Sequence, residues 1–419
     1  MKFEPPITIH AQVETPLFIW DGEVLSPLSF VTDNSRAYVI DGDRLIQAFS
    51  ARGQEAYLAW IDPQLSHLAE LDTRLAQVGG DQELRRQLNR DKRDAASQLS
   101  VERFIRDLLH RDPATFVQMS KTVAYAMRWN VRPGGDGFRG FTKAAGYRPY
   151  VPGTELKGAW RTALLYALTR EAQNYAVLKN ELVEFRRVFQ SGEPPWRKVQ
   201  RLSQIADQVE SGALRGTTKN DAKYDLLRLL HIGDGDMMSS DVLRIRALES
   251  VGTNRFTRTL AEAVEPGTTF SFRLSLASIG EVKWALQELG LVHLAGAVLS
   301  LDNLLKATYL RSSAILSADE IYFSNNPGMK KEIERLQAIN TPESPLLRLG
   351  TGQGFLSTTV GLNVRERDPE LYDRAIREGV SFQRRWRTQQ GNFPKTRRTV
   401  SDGQGRPLTV PGWIKLHIG

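Results

Sequence analysis

At 419 residues the chain is long for one minimal core and suggests two or three domains, or one domain enlarged by insertions. Hydrophobic residues make up 41% and charged residues 25%, a globular composition that excludes wholesale disorder. Cysteine is absent, which excludes disulfides, thiolate catalysis, Cys-ligated zinc and iron–sulfur clusters. No apolar run reaches the roughly 18 residues of a membrane span, Met1–Pro6 has no signal-type apolar core, and the six histidines show no ligand spacing. A cytoplasmic chain is expected, with no metal or other cofactor and no membrane partner. The net charge of +8 is concentrated: residues 128–161 carry +5 and residues 365–419 carry +6, so the remainder is net −3. Two basic segments point to a polyanionic partner, nucleic acid first; the plain alternative is solvated surface with a basic tail.

Residues 7–20, ITIHAQVETPLFIW, predict a strand that a Thr-Pro pair interrupts. Ala37–Ile40 predicts a second strand, followed by Asp41-Gly42 and a helical pattern through Leu45, Ile46 and Phe49. Residues 63–121 predict helix throughout, with Leu65, Leu68, Leu71, Leu75 and Phe104, Ile105, Leu108, Leu109 as apolar spacings. Their ten bases and nine acids nearly cancel, as expected of a helical insertion, about residues 60–125, whose charges face water. In residues 128–152 five glycines (134, 135, 137, 140, 146) interleave with Arg128, Arg132, Arg139, Lys143 and Arg148 and with Phe138, Phe141, Tyr147 and Tyr150. Glycine frees the backbone, the bases can track phosphates and the rings can stack on unpaired bases; a β-hairpin with a mobile tip is the simpler reading.

Residues 153–170 predict a helix with Thr154 as N-cap and Leu156, Trp160, Leu164 and Leu168 as its buried stripe. Lys157 and Arg161 lie one turn apart near its N-terminus, where free N–H groups and the dipole favour an anion. That describes a phosphate site, against the alternative of a surface helix with two ordinary bases. GTELKGAW lacks the order of a P-loop. Residues 171–225 predict a helical connection. Strand-like runs return at Val242–Arg246 and Thr268–Leu274, then a helix from Glu281 to Leu301 with Trp284 and Leu286 buried, then a strand at Leu346–Leu349. That strand enters Gly350-Thr351-Gly352-Gln353-Gly354-Phe355, whose alternate glycines allow close backbone approach to a ligand. It is G-x-G-x-G with no helix pattern directly behind it, a poor match to a dinucleotide site. The pattern predicts an α+β chain with two ferredoxin-like sets, one around 1–170 and one around 226–362.

Three segments resemble one family. Thr15-Pro16-Leu17-Phe18-Ile19-Trp20-Asp21-Gly22 resembles the first-strand motif of the RAMP superfamily of CRISPR systems. Tyr150-Val151-Pro152-Gly153-Thr154-Glu155-Leu156-Lys157-Gly158-Ala159-Trp160-Arg161-Thr162-Ala163 is similar to its Y-[IV]-P-G-[ST]-x-[LI]-K-G-x-x-R-[TS] segment, although Trp160 is bulkier than the usual aliphatic residue. Leu349–Phe355 is similar to its C-terminal glycine-rich loop. Chain length, the strand before Asp41 and the helical insertion are most similar to the Csm subunit five family of type III-A effectors. The resemblance implies two ferredoxin-like (RRM-type) domains, 1–170 and 226–419, the latter with the glycine-rich loop and basic tail. It implies a non-catalytic subunit that binds crRNA near its 3′ end, contacts target single-stranded RNA and caps a filament of repeated backbone RAMP subunits. It implies that Lys157, Arg161, Arg348, Gly350, Gly352 and Gly354 line an RNA groove.

Two other classes compete. Related RAMP proteins include metal-independent endoribonucleases, and general acid–base cleavage of RNA needs a proton acceptor at the 2′-OH. His10 and His231 are the histidines near motif-like segments, and a strand histidine such as His10 is more often packed. Metal-assisted cleavage would use Asp21 or Asp33, each with few acids nearby. The third class is a membrane-surface protein using residues 382–398, which hold Arg384, Arg385, Trp386, Arg387, Lys395, Arg397 and Arg398 and no acid. Gly391 and Pro394 break any amphipathic helix there.

Overall fold

In the computed structural model the described residues are 2–79, 81–194, 197, 200, 204, 208, 210–215, 224–252, 257–288, 300–373 and 394–419. The chain opens with strands β1 (Ile7–Val13), β2 (Trp20–Leu25), β3 (Phe30–Thr32) and β4 (Arg36–Ile40). Helices α1 (Gly42–Ala48), α2 (Ala51–Gln77), α3 (Gln82–Gln98) and α4 (Pro113–Met119) follow. Strands β5 (Val123–Trp129), β6 (Phe138–Phe141), β7 (Lys143–Ala144) and β8 (Arg148–Pro149) lead into α5 (Gly153–Thr169) and α6 (Ala172–Gln190). The second half holds β9 (Leu230–Ile232), β10 (Leu243–Val251), β11 (Arg258–Val264), β12 (Thr269–Leu276), α7 (Ile279–Glu288), α8 (Leu301–Tyr322) and α9 (Pro327–Ile339). Last come β13 (Leu346–Arg348), α10 (Gly361–Arg367), β14 (Arg397–Ser401), β15 (Pro407–Thr409) and β16 (Trp413–Ile418).

Strand β1 alternates, sending Ile9, Ala11 and Val13 inward and Thr8 and His10 outward. It pairs antiparallel with β12 on one side and β16 on the other, and β9 and β13 complete a five-stranded sheet in the order β13-β16-β1-β12-β9. Taking β1, α5, β9, β12, α8 and β16 in turn, strands and helices follow a βαββαβ path with strand order 4-1-3-2, the ferredoxin-like arrangement. Thus β1 supplies the second unit's sheet as much as the first. The two sets expected at 1–170 and 226–362 merge into this sheet, because a central strand needs hydrogen-bonding neighbours on both edges, and those neighbours come from residues 269–276 and 413–418.

The nine-stranded sheet runs β2-β6-β11-β10-β5-β4-β3, with β14 and β15 joined beside β10. Its strands fall in the connections of the βαββαβ path: residues 14–152 between β1 and α5, the β10–β11 hairpin between β9 and β12, and β14–β15 before β16. The helical insertion lies between β4 and β5, which pair with each other, Ala37 opposite Met127. It starts at Gly42, earlier than expected, with Asp41 capping Arg44 N–H. Phe49, Tyr57, Trp60 and Phe104 form its core, with Tyr57 and Phe104 rings 4.9 Å apart. Beyond that core α2 and α3 are exposed except at positions such as Leu71 and Leu88, as their near-neutral mix of charges demands. Leu65, placed on the apolar spacing, is 44% exposed. Trp284 on α7 is also exposed rather than buried, whereas Leu286 is buried as expected. The remaining apolar residues of that expected helix, and most of the basic stretch 382–398, lie outside the described residues.

Candidate nucleic-acid interface

Helix α5 buries Leu156, Trp160, Leu164 and Leu168 against the five-stranded sheet, with the Trp160 ring 5.7 Å from that of Phe272. The Trp160 indole N–H donates to Thr308 of α8 at 3.1 Å, so the two crossover helices are tied side by side. Trp160 is therefore a packing residue, and its bulk fills the α5–α8 seam. Between these helices lies a polar cavity of about 130 Å³, lined among others by Thr154, Gly158 and Thr162 of α5, Arg311 of α8, and Gln353 and Ser357. The P-G-T-E-L-K-G segment and the glycine-rich loop, far apart in sequence, thus meet across one cavity.

Buried arginines stand around it. Arg311 donates to the backbone carbonyls of Thr162 (3.0 Å) and Ser357, and burial pulls its pKa down to about 10. Arg348 is buried and does not reach the surface: it donates to the Pro411 carbonyl (3.1 Å), to Ser357 Oγ (3.0 Å) and to Asp319 (3.4 Å). Burial lowers its pKa against the pull of Asp319. Asp319 also accepts from Arg397 Nε at 2.7 Å. Arg348 lines the inner wall of this cavity and at the same time ties the core together here, because its strand β13 points it inward. Arg311 and Asp319 were not singled out from sequence, and Arg397, counted with the basic tail, is buried on Asp319 instead of facing a partner; a charge on the apolar stripe Leu304, Thr308, Arg311, Ile315 is a legible sign of a buried partner network.

The three loop glycines have φ of +69° (Gly350), +95° (Gly352) and +77° (Gly354), the left-handed region that side chains disfavour. Two of them approach the protein itself. A Cβ on Gly350 would sit 2.0 Å from the Phe18 carbonyl oxygen, and one on Gly352 would sit 2.8 Å from Pro411 and 3.3 Å from Leu248. Thr351 N–H donates to Phe18 O, and Leu349 N–H to Gly412 O, both at 2.8 Å. The loop is a three-way joint between the 15–20 segment, residues 411–412 and the nine-stranded sheet. At Gly354 a Cβ would meet nothing within 4 Å, so this glycine faces open space.

The paired cations of α5 separate. Arg161 donates to Glu210 (2.7 Å) and Asp225 (3.0 Å); burial opposes its charge, but these carboxylates outweigh it and raise its pKa. Lys157 is half-buried, and burial lowers its pKa although Asp225 lies close. The helix starts at Gly153 with Pro152 at the cap, two residues before the expected cap Thr154, and its first N–H, from Gly153, is taken by the Asp234 carboxylate at 2.7 Å. The N-terminal anion position is thus filled from within by the Ile232-Gly233-Asp234 segment.

The glycine-rich stretch 128–152 pairs β7 and β8 as a hairpin, whereas its β6 pairs with the distant β2 and β11. Its bases do not share one groove. Lys143 pairs with the buried Glu262, which also accepts from Tyr125 OH (2.6 Å) and Phe141 N–H (2.7 Å). Arg132 reaches Glu102 at 3.3 Å and donates to Thr32. Arg148 donates to the Met237 carbonyl at 3.2 Å. Arg139 lies over the Trp20 ring, 4.3 Å from its centroid. Arg128 is exposed on β5 and, among the described residues, has no carboxylate partner.

The residues considered for cleavage are placed as follows. Asp33 accepts from Ser35 N–H, Arg36 N–H and Tyr38 OH, closing the β3–β4 turn. Asp21 accepts from Glu23 N–H. His231 stacks on Phe3 at 3.9 Å. His10 lies on the outer face of the five-stranded sheet, bonded to Ser271 Oγ at 2.9 Å and directly opposite His417, which sequence reasoning missed. Among the described residues no three His, Asp or Glu side chains gather as a metal set.

A family model described as the RAMP superfamily matches residues 10–276. Two solved structures share the fold. A chain of the cryo-EM structure of a Csm–crRNA–target RNA ternary complex of a type III-A CRISPR-Cas system is 19% identical, with 99% of this chain and 100% of that chain covered at a TM-score of 0.62. The crystal structure of Csm5 from T. onnurineus is 19% identical, with 97% and 99% covered at a TM-score of 0.59. No curated protein sequence matches the chain. Among the described residues no helix is long and apolar enough to cross a membrane.

Proposed function

From the premise that the chain belongs to the RAMP superfamily, we propose that it is a non-catalytic crRNA-binding subunit of a type III-A CRISPR effector. It caps a filament of repeated backbone RAMP subunits near the 3′ end of the guide and contacts target single-stranded RNA. The observation that carries this reading is the fold shared along the whole chain with a chain of the Csm–crRNA–target RNA complex. The meeting of the P-G-T-E-L-K-G segment and the glycine-rich loop at one polar cavity supports it. On this reading the ferredoxin-like sheet with α5 and α8 handles the guide, through Lys157 and the backbone around Gly354. The nine-stranded sheet takes the place of a second RRM-type domain.

Titration of labelled single-stranded RNA against salt tests the binding. Log affinity is expected to fall with log salt by about 0.7 per phosphate contacted. Lys157→Ala should weaken binding by about 1–2 kcal/mol if it makes a charge-assisted phosphate contact. A salt-independent curve would reject the reading. One observation favours an endoribonuclease instead, the adjacent His10 and His417 on an exposed sheet face. End-labelled RNA should stay intact with or without Mg²⁺; specific products that vanish in His10→Ala would promote that alternative.

A further inference from the structure

The nine-stranded sheet carries a second basic feature, away from the α5–α8 cavity. Arg36 on β4 is in register with Arg128 on β5, and Arg128 with Arg244 on β10. Residues directly opposite one another point to the same face of a sheet, with strands about 4.8 Å apart. Arg246, two residues along β10, shares that face; it lies opposite Ala261, which lies opposite Arg139. The alternate positions Tyr125, Met127, Leu243 and Ile245 go into the core, while Arg36 and Arg128 are exposed. One face therefore presents a row of three arginines beside a second row holding two more, the last of them lying over Trp20.

The acids on this face do not balance it. Glu265 binds Arg246 (2.8 Å) and reaches Arg244 at 3.5 Å. Asp33, near Arg36, is occupied by Tyr38 OH and two backbone N–H groups. Among the described residues Arg36 and Arg128 have no carboxylate partner. Like charges directly opposite in a sheet destabilise it; Glu265 offsets that cost at Arg244, and among the described residues no carboxylate does so at Arg36 and Arg128.

We propose that this arginine row binds the sugar–phosphate backbone of a single-stranded nucleic acid, with Arg139 and Trp20 at its far end as the stacking position. The occupant follows from chemistry. Planar guanidinium forks match phosphate oxygens, and a basic track with an aromatic beside it is the device of single-strand binding. An acidic protein is less well matched, since the apolar residues that share this face, Leu248, Ala261 and Ala263, are buried and offer no anchor. The inference rests on the RNA-binding reading above and adds a second surface to it.

The test uses the full chain and a labelled oligouridylate in anisotropy titrations over a salt series. Arg36→Glu/Arg128→Glu is compared with the parent and with Arg74→Glu/Arg85→Glu, an equal charge change on exposed positions of α2 and α3. The row variant should lose affinity at least about tenfold and flatten the log–log salt slope by about 1.4, two phosphates at about 0.7 each; the control should stay within about threefold. The milder Arg36→Gln/Arg128→Gln should flatten the slope likewise, which guards against misfolding of the first variant. If the parent binds and both row variants match it in affinity and slope, the row is overturned while the proposed function stands. If the parent itself does not bind, both fall. Unchanged RNA binding with lost assembly onto other subunits would give the row to an acidic protein and overturn the proposal.

Discussion

The arginines around the α5–α8 cavity and those on the nine-stranded sheet face are the same residue type in opposite circumstances. Arg348 and Arg397 share Asp319 in the interior, and Arg311 spends its donors on backbone carbonyls. Arg36 and Arg128 stand in water with no carboxylate partner among the described residues. The contrast teaches that a cluster of positive charge counted along a sequence mixes two roles. Interior cations are fixed by desolvation and must be paired, so they serve the fold. Surface cations lined up by strand register remain available to a ligand.

The largest expected effect comes from removing the interior counter-ion. Asp319→Asn leaves Arg348 and Arg397 buried without a carboxylate, and should cost about 3–5 kcal/mol in denaturant unfolding. Arg36→Ala/Arg128→Ala should change stability by no more than about 0.5 kcal/mol per site, as exposed positions do. Equal losses in the two variants would erase the distinction between the regions. The joint that closes over the buried arginines gives the next contrast. Gly350→Ala places a methyl against Phe18 O in a left-handed conformation and should destabilise by about 2 kcal/mol or more. Gly354→Ala meets only the conformational cost, about 1 kcal/mol. Thermal melts of the two variants, together with RNA titration, would separate them; a Gly354 variant that unfolds like Gly350 would show that the loop is structural along its whole length.

The smallest effect is expected at the turn that sets Arg36. Burial pushes the Asp33 carboxyl up, but bonds from Tyr38 and from the Ser35 and Arg36 backbone outweigh it and hold its pKa below the ordinary 3.8. A carboxyl depressed in the native state contributes stability above the unfolded value, and that stability is lost as pH falls through the native value. Unfolding midpoints measured between neutral pH and pH near 3 should therefore fall less steeply in Asp33→Asn than in the parent. Parallel curves would mean that the turn does not depend on the ionised carboxylate.

Much of this was legible along the chain. The β1 alternation, the helical pattern after Asp41-Gly42, the apolar stripe of α5 and the three RAMP-like segments each depend on residues within a few positions, where local sterics and periodicity decide. The site was legible as a set of segments but not as a geometry. Lys157 and Arg161 read alike in sequence, yet Glu210 and Asp225 reach only Arg161 with hydrogen bonds. Arg348 lines the cavity from its buried side, and nothing along the string shows that β13 would turn it inward. The β10–β11 hairpin brought Arg244 beside Arg128, and no spacing in a one-dimensional string announces that register.

The sequence by itself determined the family, the mixed helix-and-sheet class, the helical insertion with charges outward and the absence of cysteine chemistry, because these follow from residue type and short-range pattern. Only the tertiary structure decided that β1 sits between β12 and β16, that the two expected sets share one ferredoxin-like sheet, and which arginines are interior. The physical reason is that hydrogen-bond register and burial are set by partners hundreds of residues away. Whether a charge is paired or free depends on the solvent those partners leave around it.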